Sequence, residues 1–155
     1  IGLSTHGEPS LIREAMQSID LDTVLFPLNF IILAKEGPKY NVESILDIAE
    51  EQDIGTIGIK AFAKQRWPLE IREKNPEERP HPTWYEPFDT QKDIEKCLRF
   101  ALSQGLTTIT SAGDPALVPM ILKAAERYRE MTELEQNLLL SKGKNYEPPV
   151  PTQEI

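Results

Sequence analysis

The sequence TQKDIEKCLRFALSQGLTTIT, residues 90–110, contains a helix followed directly by a strand. Its apolar residues recur at the i, i+3, i+4, i+7 and i+8 spacing of one helix face, and they are Ile94, Cys97, Leu98, Ala101 and Leu102. Thr90, with Asp93 three residues later, is a variant of the capping box that begins helices. Gly105 stands where a left-handed helix end is expected. Residues 106–110 are therefore predicted to form a strand entered from a helix.

The same combination of a short, mostly apolar segment and a helical stretch occurs four times along the chain. The four segments are residues 1–5, 23–29, 55–62 and 106–110. Strands joined by helices form parallel sheets, because a parallel partner requires a long crossover connection. A complete (β/α)8 barrel takes about 250 residues, and this chain has 155. The sequence therefore predicts an α/β fold, the parallel (βα)4 half of a TIM (β/α)8 barrel.

Caps and apolar faces predict the other helices and the limits of the domain. The first helix covers residues 9–18, and the second covers residues 42–52 with Asn41 as its cap. A helix after Asp114 extends to about residue 129, and Pro119 moves its start toward Val118. Thr132 and Glu135 form the capping box of a last helix. We expect a domain at residues 1–140 and a Pro-rich, flexible tail at 141–155, in a chain that opens on a strand without Met and is therefore a piece of something longer.

Composition narrows the class of protein. The chain carries 25 acidic and 17 basic residues, a net charge of −8, which argues against a nucleic-acid partner. A single cysteine, Cys97, forms no internal disulfide and fits a reducing, cytoplasmic compartment. The sequence contains no run of about 18 apolar residues, so it predicts no membrane-spanning helix.

A long connection, residues 63–89, separates the third segment from its helix. It contains five prolines and both tryptophans. Connections of this length are usually functional or disordered. The adjacent Trp84 and Tyr85 favour an ordered loop that packs onto the domain.

Four segment ends together resemble the aldo/keto reductase family, over roughly residues 1–137. The motifs, which resemble the fifth to eighth barrel strands in order, are Gly2-Leu-Ser-Thr-His6, Asp22-Thr-Val-Leu-Phe-Pro-Leu-Asn29, Ile57-Gly-Ile-Lys-Ala-Phe62 and Leu106-Thr-Thr-Ile-Thr-Ser-Ala-Gly-Asp114. The resemblance implies a barrel that binds NADP or NAD and reduces a small-molecule carbonyl substrate. The family's catalytic Asp, Tyr, Lys and His lie on the first four strands, so it implies no catalytic residue in this chain.

The resemblance also implies cofactor contacts. Ser4 and Thr5 would hold the nicotinamide carboxamide, with a simple turn as the alternative role. Phe62 would stack on the nicotinamide ring, although a Phe at the end of a strand is often a core residue. Gly113 and Asp114 open a helix where free N–H groups favour a phosphate, whereas capping is the main expectation for the Asp114 carboxylate.

Two further residues are candidates for substrate binding. His6 follows the first strand end, where it would touch substrate or the cofactor pyrophosphate, or serve as an ordinary loop residue. Trp84 would line a substrate pocket or pack against the outer helices. Its size and its indole N–H favour packing. Lys60 interrupts an apolar strand and points the same way as Phe62, so it requires a partner. Asn29 is expected to hold a loop rather than a ligand.

Departures from the family pattern leave the choice of cofactor open. Leu25 stands where a Gln usually contacts the nicotinamide amide, and Thr5 replaces an Asn. Pro119 and Met120 occupy the stretch where an Arg often grips the 2′-phosphate. These differences suit a divergent, bacterial branch of the family.

Three functions are consistent with these observations. The first is the cofactor-binding half of an aldo/keto reductase, completed by a missing N-terminal half-barrel or by a second copy of this chain. The second is a catalytically inactive half-barrel scaffold. The third is another phosphate-binding TIM-barrel enzyme, because the barrel hosts many chemistries.

Overall fold

The chain alternates strands and helices in the order that the sequence predicts. The structure is a computed structural model and describes residues 1–149. The strands and helices of the first half are β1 (Gly2–Ser4), α1 (Pro9–Ser18), β2 (Thr23–Pro27), α2 (Phe30–Leu33), α3 (Glu43–Glu51) and β3 (Gly55–Ile59). Those of the second half are β4 (Ala63–Arg66), α4 (Leu69–Arg72), β5 (Tyr85–Pro87), α5 (Gln91–Leu102), β6 (Thr108–Ile109), α6 (Val118–Glu126) and α7 (Glu133–Gly143). No helix among the described residues is long and apolar enough to cross a membrane.

Four strands form one parallel sheet in the order β1-β2-β3-β6. One row of the register joins Ser4, Leu25, Ile57 and Thr108 across all four strands. Since sequential strands are joined by helices, all their carboxyl ends lie at one edge of the sheet. The predicted fold class, a parallel (βα)4 arrangement, is confirmed.

The two faces of the sheet differ in burial. Side chains alternate between faces, and along β2 Val24 and Phe26 are buried whereas Thr23 and Leu25 are half-buried. The buried face joins the inner sides of the helices in one core, which includes Ile12, Met16, Ile45, Ile94 and Leu98. The other face, which carries Leu25 and Ile57, is only partly covered within residues 1–149.

Helix ends follow the predicted caps with one exception. The Thr90 hydroxyl accepts from the Asp93 N–H, and Thr132 and Glu135 form their capping box. Gly105 has φ +78°, the left-handed geometry predicted for it. The Asn41 cap was wrong: Asn41 ends a preceding 3-10 turn, so Val42 takes the cap position without a side-chain hydrogen bond.

The end of the domain also differs from the prediction. Ser141, the first residue of the predicted tail, lies within α7, which ends at Gly143. Tyr146 packs edge-on against Phe30 and Phe88, with ring centroids 6.4 and 6.0 Å away. These contacts join residues up to 146 to the core, because an aromatic ring buries a large apolar area. Residues 150–155 of the predicted tail lie outside the described residues.

The long connection is ordered, as predicted. Strands β4 and β5 pair antiparallel as a hairpin whose loop holds α4 and a 3-10 turn. The Trp67 indole N–H donates to the Thr83 carbonyl at 2.8 Å. Arg79 donates to the carbonyls of Arg72, Lys74 and Thr83. These bonds hold the loop as a fixed layer beside the end of β3.

An ion-pair network ties α5 to the start of α7 and predicts a dependence of stability on pH. Arg99 donates two bonds to Glu135, at 3.0 and 2.8 Å. These bonds, and next the Thr132 N–H, lower the pKa of Glu135 from 4.5 to about 2. A carboxyl whose pKa is depressed by folding stabilises the fold above its unfolded pKa, and this contribution is lost as pH falls through the folded pKa.

In the wild type, the unfolding free energy should decrease between pH 4.5 and about 2 as Glu135 is protonated. We expect this decrease to be smaller in Glu135→Gln, which has no carboxylate to protonate at this position. Glu133, an exposed residue in the same first helical turn, provides the matched control Glu133→Gln. Denaturant unfolding measured across this pH range checks the prediction. Equal pH slopes for the wild type and Glu135→Gln would show that the Arg99 pair contributes nothing.

Candidate functional site

The end of β3 is the most constrained point of the strand edge. The strand was predicted to continue to residue 62, but it ends at Ile59 because Lys60 has φ +63°. This left-handed geometry is uncommon for a residue with a side chain, and it persists only where the surrounding structure enforces it. It turns the chain sharply and brings Lys60 out at the carboxyl edge of the sheet.

Asn29 enforces that turn from the neighbouring strand. Its side-chain amide donates to the carbonyls of Lys60 at 2.9 Å and Ala63 at 3.2 Å. Its amide oxygen accepts from the N–H groups of Ile31 and Ile32, which caps α2. The residue is 1% exposed. The prediction that Asn29 holds a loop is confirmed, and the loop is the one that presents Lys60.

Two aromatic rings surround the Lys60 ammonium. Its Nζ lies 4.6 Å from the Trp84 ring centroid and 5.1 Å from that of Tyr85. The two rings meet edge to face at 5.3 Å, so they form a corner. Burial lowers the pKa of Lys60, whereas the negative faces of the rings favour its charged form. Within residues 1–149 the Lys60 ammonium therefore has aromatic partners, and a carboxylate from a second half-barrel stays a prediction.

The predicted substrate residue His6 lies at the same edge. Partial burial, and next the charge of Lys60, lower the pKa of the His6 imidazole. In the sheet order the ends of β1 and β3 stand on either side of the end of β2, so His6 and Lys60 share one edge. Ser4 is exposed at the last position of β1, and the Thr5 hydroxyl accepts from the Gly7 N–H at 2.8 Å. The simple turn that was the alternative role for Thr5 is thus present.

Gly113 and Tyr85 connect this edge to the fourth strand. Tyr85 is 5% exposed. Its burial raises the pKa of the hydroxyl, and the Gly113 N–H beside that hydroxyl opposes the rise. The Gly113 N–H, one of the groups predicted to bind a phosphate, therefore lies against the Tyr85 hydroxyl.

Asp114 pairs with a residue that sequence reasoning missed. Its carboxylate contacts His81 Nδ1 at 2.5 Å and accepts from the Ala116 N–H at 2.9 Å. Burial acts to raise the pKa of Asp114, but the hydrogen bonds from His81 and Ala116 together lower it. Asp89 lies 3.6 Å from the other nitrogen of His81. The capping role predicted for Asp114 is confirmed, and His81 joins it to the long loop.

The structure separates two of the predicted aromatic site residues. Phe62, the candidate for stacking on nicotinamide, is 1% exposed and belongs to the core. A ring enclosed in this way contacts a ligand only if neighbouring side chains move. Trp84, for which packing on the outer helices was favoured, is instead 45% exposed over Lys60. The aromatic surface available at this edge is therefore that of Trp84.

Parallel strands in sequential order, each followed by a helix, define part of a (β/α)8 barrel. Aldo-keto reductase AKR11C1 from Bacillus halodurans has a similar structure. Its holo form matches with a TM-score of 0.60 and 16% identity over 98% of this chain and 51% of that protein. Its apo form matches with a TM-score of 0.56 and 14% identity over 97% and 52%. No family model and no curated protein matches the sequence.

These likenesses show the fold. The chain has the architecture of about half of an aldo-keto reductase barrel, and it spans about half the length of that protein. In such barrels the ligand site lies at the carboxyl ends of the strands. His6, Lys60, Trp84 and Gly113 occupy that edge here, and they supply cationic, aromatic and N–H groups. Groups of these kinds are typical of the linings of small-molecule sites.

Proposed function

We propose that this chain is the cofactor-binding half of an NAD(P)(H)-dependent oxidoreductase that reduces a carbonyl substrate. The observation that carries the proposal is the convergence of polar and aromatic groups at the carboxyl edge of a half-barrel of reductase fold. Ser4, Thr5 and Gly113 would bind the cofactor, with Phe62 behind the ring once it is uncovered. His6 and Trp84 would contact the substrate.

Acid–base chemistry would come from a second half-barrel. The two outer strands, β1 and β6, each pair with a single strand within residues 1–149. Unpaired strand edges and a half-covered sheet face favour a further set of strands. A missing N-terminal half-barrel would provide them together with the Asp, Tyr, Lys and His of the family, whereas a second copy of this chain would provide the strands alone. The cytoplasmic location inferred from Cys97 stays a prediction.

Fluorescence titration of the chain with NADPH and NADH tests the proposal. Trp84 is exposed at the strand edge, whereas Trp67 is buried. A bound nicotinamide would therefore quench the emission of Trp84 rather than that of Trp67. We expect saturable quenching that Trp84→Phe removes while the Trp67 emission persists. Sedimentation run beside it shows whether the binding species is one copy or two, and the ratio of NADPH to NADH affinity gives the cofactor preference.

Each alternative function has its own outcome in this titration. No saturable change at millimolar NADPH or NADH, in chain that is folded by circular dichroism, would contradict the proposal and favour the scaffold. A phosphorylated sugar that binds more tightly than either nucleotide would favour another phosphate-binding barrel enzyme.

A further inference from the structure

The Lys60 ammonium is an unusual charge for its surroundings. It is half-buried at the ligand edge of the sheet, and no carboxylate lies within 4 Å of it among residues 1–149. Carboxylates of the same region are already engaged, because Glu86 pairs with Lys64 at 2.5 Å and Asp114 pairs with His81 at 2.5 Å. A half-buried cation without a counter-ion loses part of its hydration with no ion pair in exchange, so stability alone does not account for it.

The surrounding structure fixes this cation in place. Lys60 holds a left-handed backbone, and the side-chain amide of Asn29, the cap residue of α2, donates to its carbonyl. The corner made by Trp84 and Tyr85 contacts the ammonium through its ring faces only. Ring faces stabilise a cation without neutralising it or occupying all its N–H donors. The Lys60 ammonium is thus held in position, and it keeps N–H donors that can bind an anion.

His6 provides a second donor on the same edge. It follows β1, as Lys60 follows β3, at the same edge on either side of β2, and its exposed imidazole offers an N–H on a protein of net charge −8. We propose that Lys60 and His6 form a binding site for the anionic group, carboxylate or phosphate, of a small molecule at the carboxyl edge of the sheet.

The site also narrows the substrate class. If the anion belongs to the carbonyl substrate, that substrate is an oxo acid or a phosphorylated carbonyl compound rather than a simple aldehyde. This extension rests on the proposed function, whereas anion binding itself does not. If the chain binds neither NADPH nor NADH but still responds to anions, the proposed reductase function is wrong and the anion site is retained.

The chain contains two histidines, so nuclear magnetic resonance of their imidazole groups reports directly on the site. Acetate and inorganic phosphate are titrated separately against sodium chloride of equal ionic strength. An anion between Lys60 and His6 stabilises the imidazolium, so we expect it to raise the midpoint of the His6 titration by roughly half a pH unit. His81, which is paired with Asp114, is the internal reference. The anion with the larger effect identifies the ligand group.

Lys60→Asn is the decisive variant, because Asn removes the charge and tolerates the left-handed backbone. Without anion its His6 midpoint is higher than that of the wild type, since the repulsion from Lys60 is gone. Added acetate or phosphate then moves it no more than chloride does. Lys64→Met, in which the lost lysine already has Glu86 as partner, retains the full response. An equal anion response in Lys60→Asn and wild type, or none in wild type, overturns the proposal.

Discussion

Replacing Asn29 with Ala is expected to destabilise the chain by about 2–4 kcal/mol. The substitution removes the cap of α2 and leaves the buried Ala63 carbonyl without the Asn29 donor. The Lys60 carbonyl loses one of two donors, since it still accepts from the Ala63 N–H at 3.0 Å. A buried carbonyl that loses its partner keeps its full desolvation cost. The left-handed turn at Lys60 then loses the contact that enforces it, so the effect extends from the core to the site.

Two measurements separate this effect from a general weakening. Chemical denaturation gives the unfolding free energy, and Asn41→Ala is the matched control, since Asn41 is exposed and caps nothing. Hydrogen exchange of the Ile31 and Ile32 amides should accelerate most, because these N–H groups lose their acceptor. A loss no larger than that of Asn41→Ala would show that water or a neighbour replaces the amide.

The general architecture could be predicted from sequence because it depends on local signals. Strand–helix repetition, Thr90, Gly105 and the Thr132–Glu135 box each act within a few residues of the element they begin or end. The structure accordingly confirms the parallel order and most caps. The end of β3 at Ile59 was missed because the Asn29 amide, which holds the turn at Lys60, is 31 residues away in sequence.

The candidate site was predicted less well for the same reason. The motif order indicated the carboxyl edge of the sheet, and His6 and Trp84 are exposed at that edge. The partner of Asp114, His81, is 33 residues away, so spacing gave no sign of it. One signal was available, since His81 is one of only two histidines and lies between Pro80 and Pro82 in an ordered loop. Phe62 lies in the core, the alternative named for it, and strand patterns alone do not decide between core and ligand contact.

Replacing Gly143 with Ala is the second large effect that the structure predicts, at the contact between α7 and α2. An added Cβ would lie 2.6 Å from the Phe30 carbonyl oxygen and 2.8 Å from the Ala34 Cβ. The obstacle is backbone and a short side chain, so neither moves aside without shifting a helix. We expect a loss of about 1–3 kcal/mol from this overpacking, larger than the gain of up to about 1 kcal/mol that Ala has over Gly in a helix.

The matched control is Gly113→Ala, because a Cβ there meets only the Thr83 methyl group at 3.9 Å. Ala at an unstrained position lowers the entropy of the unfolded chain, so this control should be neutral or slightly stabilising. In Gly143→Ala the displaced α7 should also loosen the contact of Tyr146 with Phe30, which near-ultraviolet circular dichroism detects. If Gly143→Ala were as stable as Gly113→Ala with an unchanged aromatic signal, α7 would not be seated against α2 in solution. The domain would then end before Gly143, in agreement with the boundary at residue 140 that the sequence predicts.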